Sequence, residues 1–255
     1  MTQYMIWAPT LMLVAVRAAG IFILAPAMGN AAIPAKLRYM FSVVLALGVV
    51  GRLAEPAVVS QSWPGLLLAV ACEAMIGLTI GYVARLVFVG IELGAAHISH
   101  QMGISLAAAM GAGPAGRADP VRRLMYLLAV VIFLTIGGHR QVLSGLLGSF
   151  DTVPLMGFAP GKAILEMVTA VLAASFVLAI KVAAPVVITL LLTTVVMALL
   201  GRTMPQFNML WVELPVRAMV GLLVLAAGLT ALPGLIEGAA AIITKHVSVI
   251  FGAGA

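Results

Sequence analysis

Charged residues are scarce in this 255-residue chain, where Asp, Glu, Lys and Arg together make up only 9%. Soluble domains carry about 25% charged residues and about 45–50% apolar ones. Here 64% of the residues are hydrophobic and the mean hydropathy is +1.21. This composition excludes a water-soluble globular protein and indicates that lipid or apolar protein surrounds the chain.

Cysteine is nearly absent too, because Cys72 is the only one. A single cysteine excludes an intrachain disulfide and a cysteine-rich zinc site, and its apolar neighbours predict a packed, unreactive thiol. HExxH, Walker A and GxSxG motifs are missing from the sequence. We therefore predict that the protein is not an enzyme and that it needs no cofactor.

Metal ligands and nucleic-acid contacts are also poorly represented. His97 and His100 are three residues apart near Glu92, but no suitable further ligand is evident, so we predict no metal site. The formal net charge is +6, yet the basic residues are scattered over connections and helix ends. That distribution argues against a nucleic-acid partner and favours a role in membrane orientation.

Long apolar runs are what the sequence has in abundance. They predict six helical regions, at about 5–29, 39–58, 64–99, 121–149, 163–200 and 207–243. The third, fifth and sixth regions exceed one bilayer crossing, which predicts tilt, a break or projection beyond the hydrocarbon. The predicted fold is an all-α membrane protein of about six long, bent hydrophobic helices, forming one domain over residues 1–255.

Small residues recur at a spacing that permits close helix packing. Gly77 and Gly81 form one pair in the third region, and Gly90 and Gly94 form a second. Residues four apart share a helix face, so another backbone can approach each pair closely. Gly234 and Gly238 repeat the pattern. We expect a stack of helices with many neighbours.

Ionisable residues interrupt the apolar runs. Each would cost about 2.5–3.5 kcal/mol at a bilayer centre, so they should pair within the protein, line an aqueous path or lie outside the hydrocarbon. The i,i+4 spacing of Glu213 and Arg217 permits a pair, whereas Arg85 and Glu92 are about 10 Å apart along a straight helix. The set comprises Arg17, Glu73, Arg85, Glu92, Lys181, Glu213 and Arg217. His139 follows two glycines at the end of an apolar run, where we predict a capping or hydrogen-bonding role.

The longest irregular stretch covers residues 101–120. Its centre, residues 110–120, has three glycines and two prolines, a density that does not sustain a helix. The stretch is only weakly polar, unlike an ordinary solvated loop. Two interpretations stay open, namely a plain connection and a segment that lies against protein or closes a hole.

Ordered blocks along nearly the whole chain resemble the FliR/SctT family, a membrane component of the type III secretion export gate. The blocks are Arg17 with Leu24-Ala25-Pro26 and residues 32–38; Glu73 with Gly77 and Gly81; residues 101–105; Phe133-Leu134, Gly138-His139, Ser149-Phe150 and Pro154-Leu155; and Pro185, Arg202, Pro205-Gln206, Asn208 and Pro215. The fourth block resembles flagellar members more than injectisome members. Gly111-Ala112 replaces the Asp-Pro of many relatives, and Glu213-Leu214-Pro215 replaces Gly-Phe-Pro.

The resemblance implies a channel subunit that passes unfolded substrates across the bacterial inner membrane at the flagellar basal body. Expected partners are FliP-like and FliQ-like gate subunits, FlhB-like and FlhA-like export components, export substrates and membrane lipid. Part of the assembly is expected to project to the periplasmic side. The family's pore-closing plug corresponds to residues 106–119 here. Its named positions are Leu106, Met110, Gly111, Gly113, Pro114, Gly116, Arg117 and Asp119.

Two other classes of function are compatible with an apolar helical chain. An ion-coupled secondary transporter would place Glu73, Arg85, Glu92 and Arg217 along its path. Such carriers often contain repeated halves, and no convincing repeat is visible. An intramembrane enzyme is disfavoured because no catalytic motif is present.

Overall fold

A computed structural model describes residues 2–26, 34–51, 63–104, 119–157, 162–204 and 209–251. Within these ranges the chain contains helices and no β-strand. In chain order the elements are α1 (Thr2–Leu24), α2 (Ala35–Val50), α3 (Trp63–Gln101), α4 (Pro120–Thr135), α5 (Gly138–Thr152), α6 (Lys162–Thr203), α7 (Met209–Gly228), a 3₁₀ turn (Leu229–Ala231) and α8 (Leu232–Phe251). The predicted all-α fold is confirmed.

Four apolar stretches in the described ranges are long enough to cross a membrane. They are Trp7–Leu24, Trp63–Gln101, Ile164–Thr203 and Trp211–Ala241, and the broken pair α4 and α5 makes a fifth if it counts as one span. The 42 residues of α6 correspond to about 63 Å of helix. The hydrocarbon core of a bilayer is about 30 Å thick, so α6 extends well beyond one perpendicular crossing.

The predicted count of six helices is approximate, because two predicted regions are broken. The region predicted at 121–149 divides at Gly137, whose φ of +75° lies in the left-handed conformation that glycine adopts without steric cost. The region predicted at 207–243 contains the 3₁₀ turn after Gly228. The first helix ends at Leu24 and not near residue 29.

Contacts divide the chain into two compact units. The first unit comprises Met1–Leu86, Gly137–Leu172 and Ala241–Ala255. Within it, α1 and α2 pack together around a continuous apolar core to which α3, α5 and the start of α6 contribute. Its fully or nearly buried members include Val14, Ile21, Ala46, Ile76, Val83, Leu146, Phe150 and Met167.

The second unit comprises Val87–Ile136 and Ala173–Ala240. Phe88 anchors α4 on α3, because its ring makes edge contacts with Tyr126 and Phe133 at centroid distances of 6.1 and 5.3 Å. Aromatic rings favour this T-shaped geometry. The contacts fix the antiparallel arrangement of α3 and α4, two helices that are separated by residues 102–119.

The glycine pairs of α3 are sites of backbone contact with other helices of the same chain. In the first unit, a Cβ at Gly77 would collide with the carbonyl oxygen of Arg17, and one at Gly81 would lie 2.9 Å from the Ile21 oxygen. In the second unit, a Cβ at Gly90 would lie 2.5 Å from the Ser175 oxygen. Gly94 would meet the Ala179 oxygen at 2.8 Å. Small residues therefore set the distance of α3 from α1 and from α6.

Gly77→Ala should destabilise the protein by about 1–3 kcal/mol or more, because a rigid backbone oxygen occupies the space that the methyl group needs. The measurement is the thermal stability of the purified protein. Gly48→Ala is the matched control, since a Cβ at Gly48 in α2 would meet no described atom within 4 Å beyond its own stretch of helix, and alanine favours a helix by about 1 kcal/mol. Equal stability of the two variants would contradict the close approach of α1 and α3.

Candidate functional site

Arg17 is the largest fully buried side chain in the described part of the protein, with 0% of its surface exposed. It lies on α1 and donates from Nε to Glu73 Oε2 on α3 at 2.5 Å. Its Nη1 donates to the Ser149 carbonyl oxygen at 3.0 Å and to Ser149 Oγ at 3.2 Å. Both Nη atoms also donate to the Val153 carbonyl oxygen at 3.2 Å. A guanidinium that is buried in an apolar core is tolerated only when it is paired in this way.

Glu73 is equally buried and contacts a backbone turn through its second oxygen. Its Oε1 accepts a hydrogen bond from the Met156 amide at 3.0 Å. Met156 has a φ of +67°, a left-handed conformation that is uncommon for a residue with a side chain. The carboxylate therefore satisfies a backbone donor in a turn that departs from ordinary helical geometry.

The Arg17–Glu73 pair acts chemically as a cap for α5 and the turn that follows it. The last carbonyl groups of a helix have no partner within the helix, and a cation near them is favoured by the helix dipole. Arg17 supplies both the donors and the charge, and its guanidinium lies 4.3 Å from the centre of the Phe150 ring. One ion pair thus connects α1, α3, α5 and the turn at 153–157.

The sequence alone does not predict this pair, because Arg17 and Glu73 are 56 residues apart and no helical spacing relates them. The sequence blocks that resemble the FliR/SctT family do, however, contain the residues of this cluster. Arg17, Glu73 and Ser149-Phe150 each stand in a different block, and the structure brings all of them together.

Three other ionisable residues that interrupt the apolar runs also form ion pairs. Glu213 and Arg217 form the expected i,i+4 ion pair on α7, where each side chain is about one quarter exposed. Glu92 does not pair with Arg85, in line with their predicted separation, and instead accepts from Arg122 of α4 at 2.5 Å. These two pairs lie in the second unit.

Arg85, Lys181 and His139 occupy different surroundings. Arg85 is half-buried on α3, while Lys181 is exposed on α6, and neither forms an ion pair with any residue in the described ranges. His139 is exposed at the second position of α5. A charge relay would require these groups to contact one another, and no hydrogen bond links them among the described residues.

The predicted plug positions from Leu106 to Arg117 lie outside the described residues. Asp119 is described, and its carboxylate accepts hydrogen bonds from the amides of Val121 and Arg122 at 3.0 and 3.2 Å. It is therefore the N-cap of α4, a position at which aspartate is strongly favoured. Its structural role is to start the helix that follows the loop.

The chain that enters the loop is held against α7. Gly103 has a φ of +76°, and a Cβ there would lie 2.5 Å from Leu214 Cδ2. The Met102 side chain is packed against Gly221, where a Cβ would lie 2.7 Å from Met102 Cγ. Only glycine fits at either position without displacement of the neighbour. Both ends of residues 105–118 therefore join segments with defined contacts.

The described residues contain no group of three or more His, Cys, Asp or Glu side chains that could hold a metal ion. A cavity of about 330 Å³ between α3 and α6 has His97 as its one titratable lining residue, beside Gly94, Ala179 and Val187. Residues 111–116 have the glycine spacing GxGxxG. That spacing indicates a nucleotide site only between a strand and a helix, and the described ranges hold no strand.

Glu73→Gln should destabilise the protein by about 3–5 kcal/mol, because it leaves the buried Arg17 charge without its counter-ion. Glu92→Gln makes the same chemical change in a pair whose arginine is 54% exposed, and should cost about 1 kcal/mol or less. The measurement is the thermal stability of both purified variants. Similar losses of stability in the two variants would show that the Arg17–Glu73 pair stabilises the fold no more than the Glu92–Arg122 pair does.

The family described as "Bacterial export proteins, family 1" matches residues 8–241. The chain is 26% identical to the flagellar biosynthetic protein FliR of Bacillus subtilis over 220 residues, 85% of each chain. It is 28% identical to FliR of Caulobacter vibrioides over 80% of this chain and 82% of the relative.

A relative named as a translocation protein matches as well. The Yop proteins translocation protein T of Yersinia pestis is 26% identical over 72% of this chain and 74% of its own length. The FliR proteins of Bacillus subtilis and Caulobacter vibrioides match over a larger share of the chain, which favours the flagellar branch. With a family match that extends over most of its length, this chain belongs to the bacterial export proteins of family 1.

Proposed function

We propose that this protein is a channel subunit of the type III flagellar export gate, through which unfolded substrates cross the bacterial inner membrane. The observation that carries the proposal is the family match over residues 8–241 together with FliR relatives that align over most of the chain. The four or five apolar spans are consistent with a membrane-embedded flagellar component.

Exposed apolar surface supports a multi-subunit assembly. On α6 and α7, Ile180, Leu191, Leu223 and Trp211 are each at least 64% exposed in the single chain. Apolar patches of this extent mark surfaces that contact lipid or other proteins. FliP-like and FliQ-like gate subunits, with FlhB-like and FlhA-like export components, would cover part of them. The assembly would stand at the flagellar basal body and project in part to the periplasmic side.

Residues 106–119 would close the resting pore. They join Met102–Gly103, which is packed on α7, to Asp119, which caps α4, so both ends of the proposed plug are attached to helices. The segment is rich in glycine and alanine, and small side chains offer little apolar area per contact. A seal of this kind would exclude ions yet give way to an entering polypeptide.

Energy for export would come from other components, because the sequence lacks a Walker A motif. The carrier alternative is less well supported. Three of its four candidate charges are in ion pairs within the chain, namely Glu73 with Arg17, Glu92 with Arg122 and Arg217 with Glu213. Paired charges of this kind serve helix packing without any need for a transport path.

Deletion of residues 107–116 in the assembled gate should raise its ion conductance, because the obstruction is shortened while Met102–Gly103 and the Asp119 cap are kept. Conductance is measured in bilayers or as ion leak in cells. Co-purification with the partner subunits at the wild-type level is the control for assembly. Unchanged conductance in a correctly assembled gate would contradict the plug assignment.

Purification with and without partners separates the two functional classes. A gate subunit should be less stable alone than in complex, and its thermal stability should rise when FliP-like and FliQ-like subunits are co-expressed, because they cover its apolar faces. An ion-coupled carrier should be stable and transport a solute by itself in liposomes. Transport by the isolated chain would overturn the gate proposal.

A further inference from the structure

Helix α5 presents a polar outer face in a chain that is otherwise strongly apolar. Arg140, Ser144 and Asp151 are exposed along one side of it, with Leu147 between them at 37% exposure. At 100° per residue these four positions fall within an arc of about 60°, and they extend over about 16 Å of helix. We call this stripe the transit face, defined as Arg140, Ser144, Leu147 and Asp151.

The opposite side of α5 is firmly attached to the first unit. Leu146 and Phe150 belong to its apolar core, and Ser149 and Val153 accept hydrogen bonds from Arg17. The orientation of the helix is therefore fixed, and the transit face points away from the core of its own unit. Lys162 and Glu166, in the first turns of α6, are exposed as well.

Helix α4, in contrast to α5, has an apolar outer face. Leu124, Leu127, Val131 and Leu134 form its exposed stripe, with exposures between 46% and 60%. Such a stripe suits lipid or the apolar helix of a partner. Within one short stretch of sequence, the chain therefore changes from an apolar outer face to a polar one.

Helix stability does not explain the charges of the transit face. Arg140 lies in the first turn of α5 and Asp151 in the last, which is the reverse of the arrangement that the helix dipole favours. Each charge is thus unfavourable for the isolated helix. An aqueous environment outside the helix explains their presence better.

We propose that the transit face lines the aqueous passage and contacts the unfolded polypeptide during export, an inference that rests on the proposed function. Charges at hydrocarbon depth are strongly disfavoured, which argues against lipid. The buried centres of protein interfaces are depleted of charge and rich in aromatic residues, which argues against a partner subunit. The transit face has one cation, one anion and uncharged residues between them. Such a surface binds any one segment only weakly, which suits a passing chain of variable sequence.

The test uses site-specific crosslinking in the assembled gate of living cells. Cys72→Ala removes the only cysteine, and Ser144→Cys or Asp151→Cys then adds one on the transit face. Val131→Cys, 60% exposed on α4, is the matched control on an apolar face. A cysteine-bearing export substrate fused to a stably folded domain is stalled in the gate, and a short thiol crosslinker is applied.

Both transit-face cysteines should crosslink to the stalled substrate with a yield several-fold above that of Val131→Cys, and they should react with a membrane-impermeant maleimide. The proposal is overturned if they crosslink only to partner subunits, if they resist the maleimide, or if the maleimide labels them while the substrate does not crosslink. Motility of each variant before crosslinking shows that the gate has assembled.

A further position separates failure of this inference from failure of the proposed function. Gly111→Cys lies in the proposed plug and should crosslink to any chain that passes the gate. Crosslinking at Gly111→Cys without crosslinking at either transit-face cysteine would refute the transit face alone. If no position crosslinks and export continues without this protein, the gate function itself is refuted.

Discussion

The buried ion pair between Arg17 and Glu73 is the constraint on which the first unit depends. Neither side chain has any exposed surface, so each charge is tolerable only while the other is in place. Because the pair also satisfies the end of α5 and the Met156 amide, the position of a helix late in the sequence depends on two early ones. Polar groups that serve this purpose order the helices more strictly than apolar packing does, since an apolar face tolerates rotation.

Close contact between helix backbones is the second feature that organises the fold. It involves α3, the helix that also carries Glu73. Glycines of α3 admit α1 in one unit and α6 in the other, so a single long helix takes part in both. Packing of this kind depends on van der Waals contact rather than on exclusion of water. It leaves the large apolar side chains of α6 and α7 directed outward, where partner subunits of the proposed gate would find them.

Much of the fold follows from the sequence, because apolar length and glycine spacing are local signals. Both α3 and α6 lie within a few residues of their predicted bounds, and the Glu213–Arg217 pair follows from a spacing of four. The break at Gly137 was missed although an apolar run ends there, because glycine is tolerated inside membrane helices and does not by itself end one; the left-handed backbone of Gly137 marks the break. Partners separated by dozens of residues, such as Arg17 and Glu73 or Glu92 and Arg122, have no local signature. The proposed plug remains a prediction, since residues 106–117 lie outside the described ranges.

The outward-facing leucines, isoleucines and tryptophan of α6 and α7 have a consequence for the life of the protein in the cell. A newly made copy that has not met its partners carries these side chains uncovered, and such surfaces promote self-association and attract quality-control proteases. In the proposed gate, the amount of this protein that accumulates would therefore depend on the synthesis of its partners as well as on its own. Balanced expression of the proposed gate subunits would then follow from the physical chemistry of these helix surfaces.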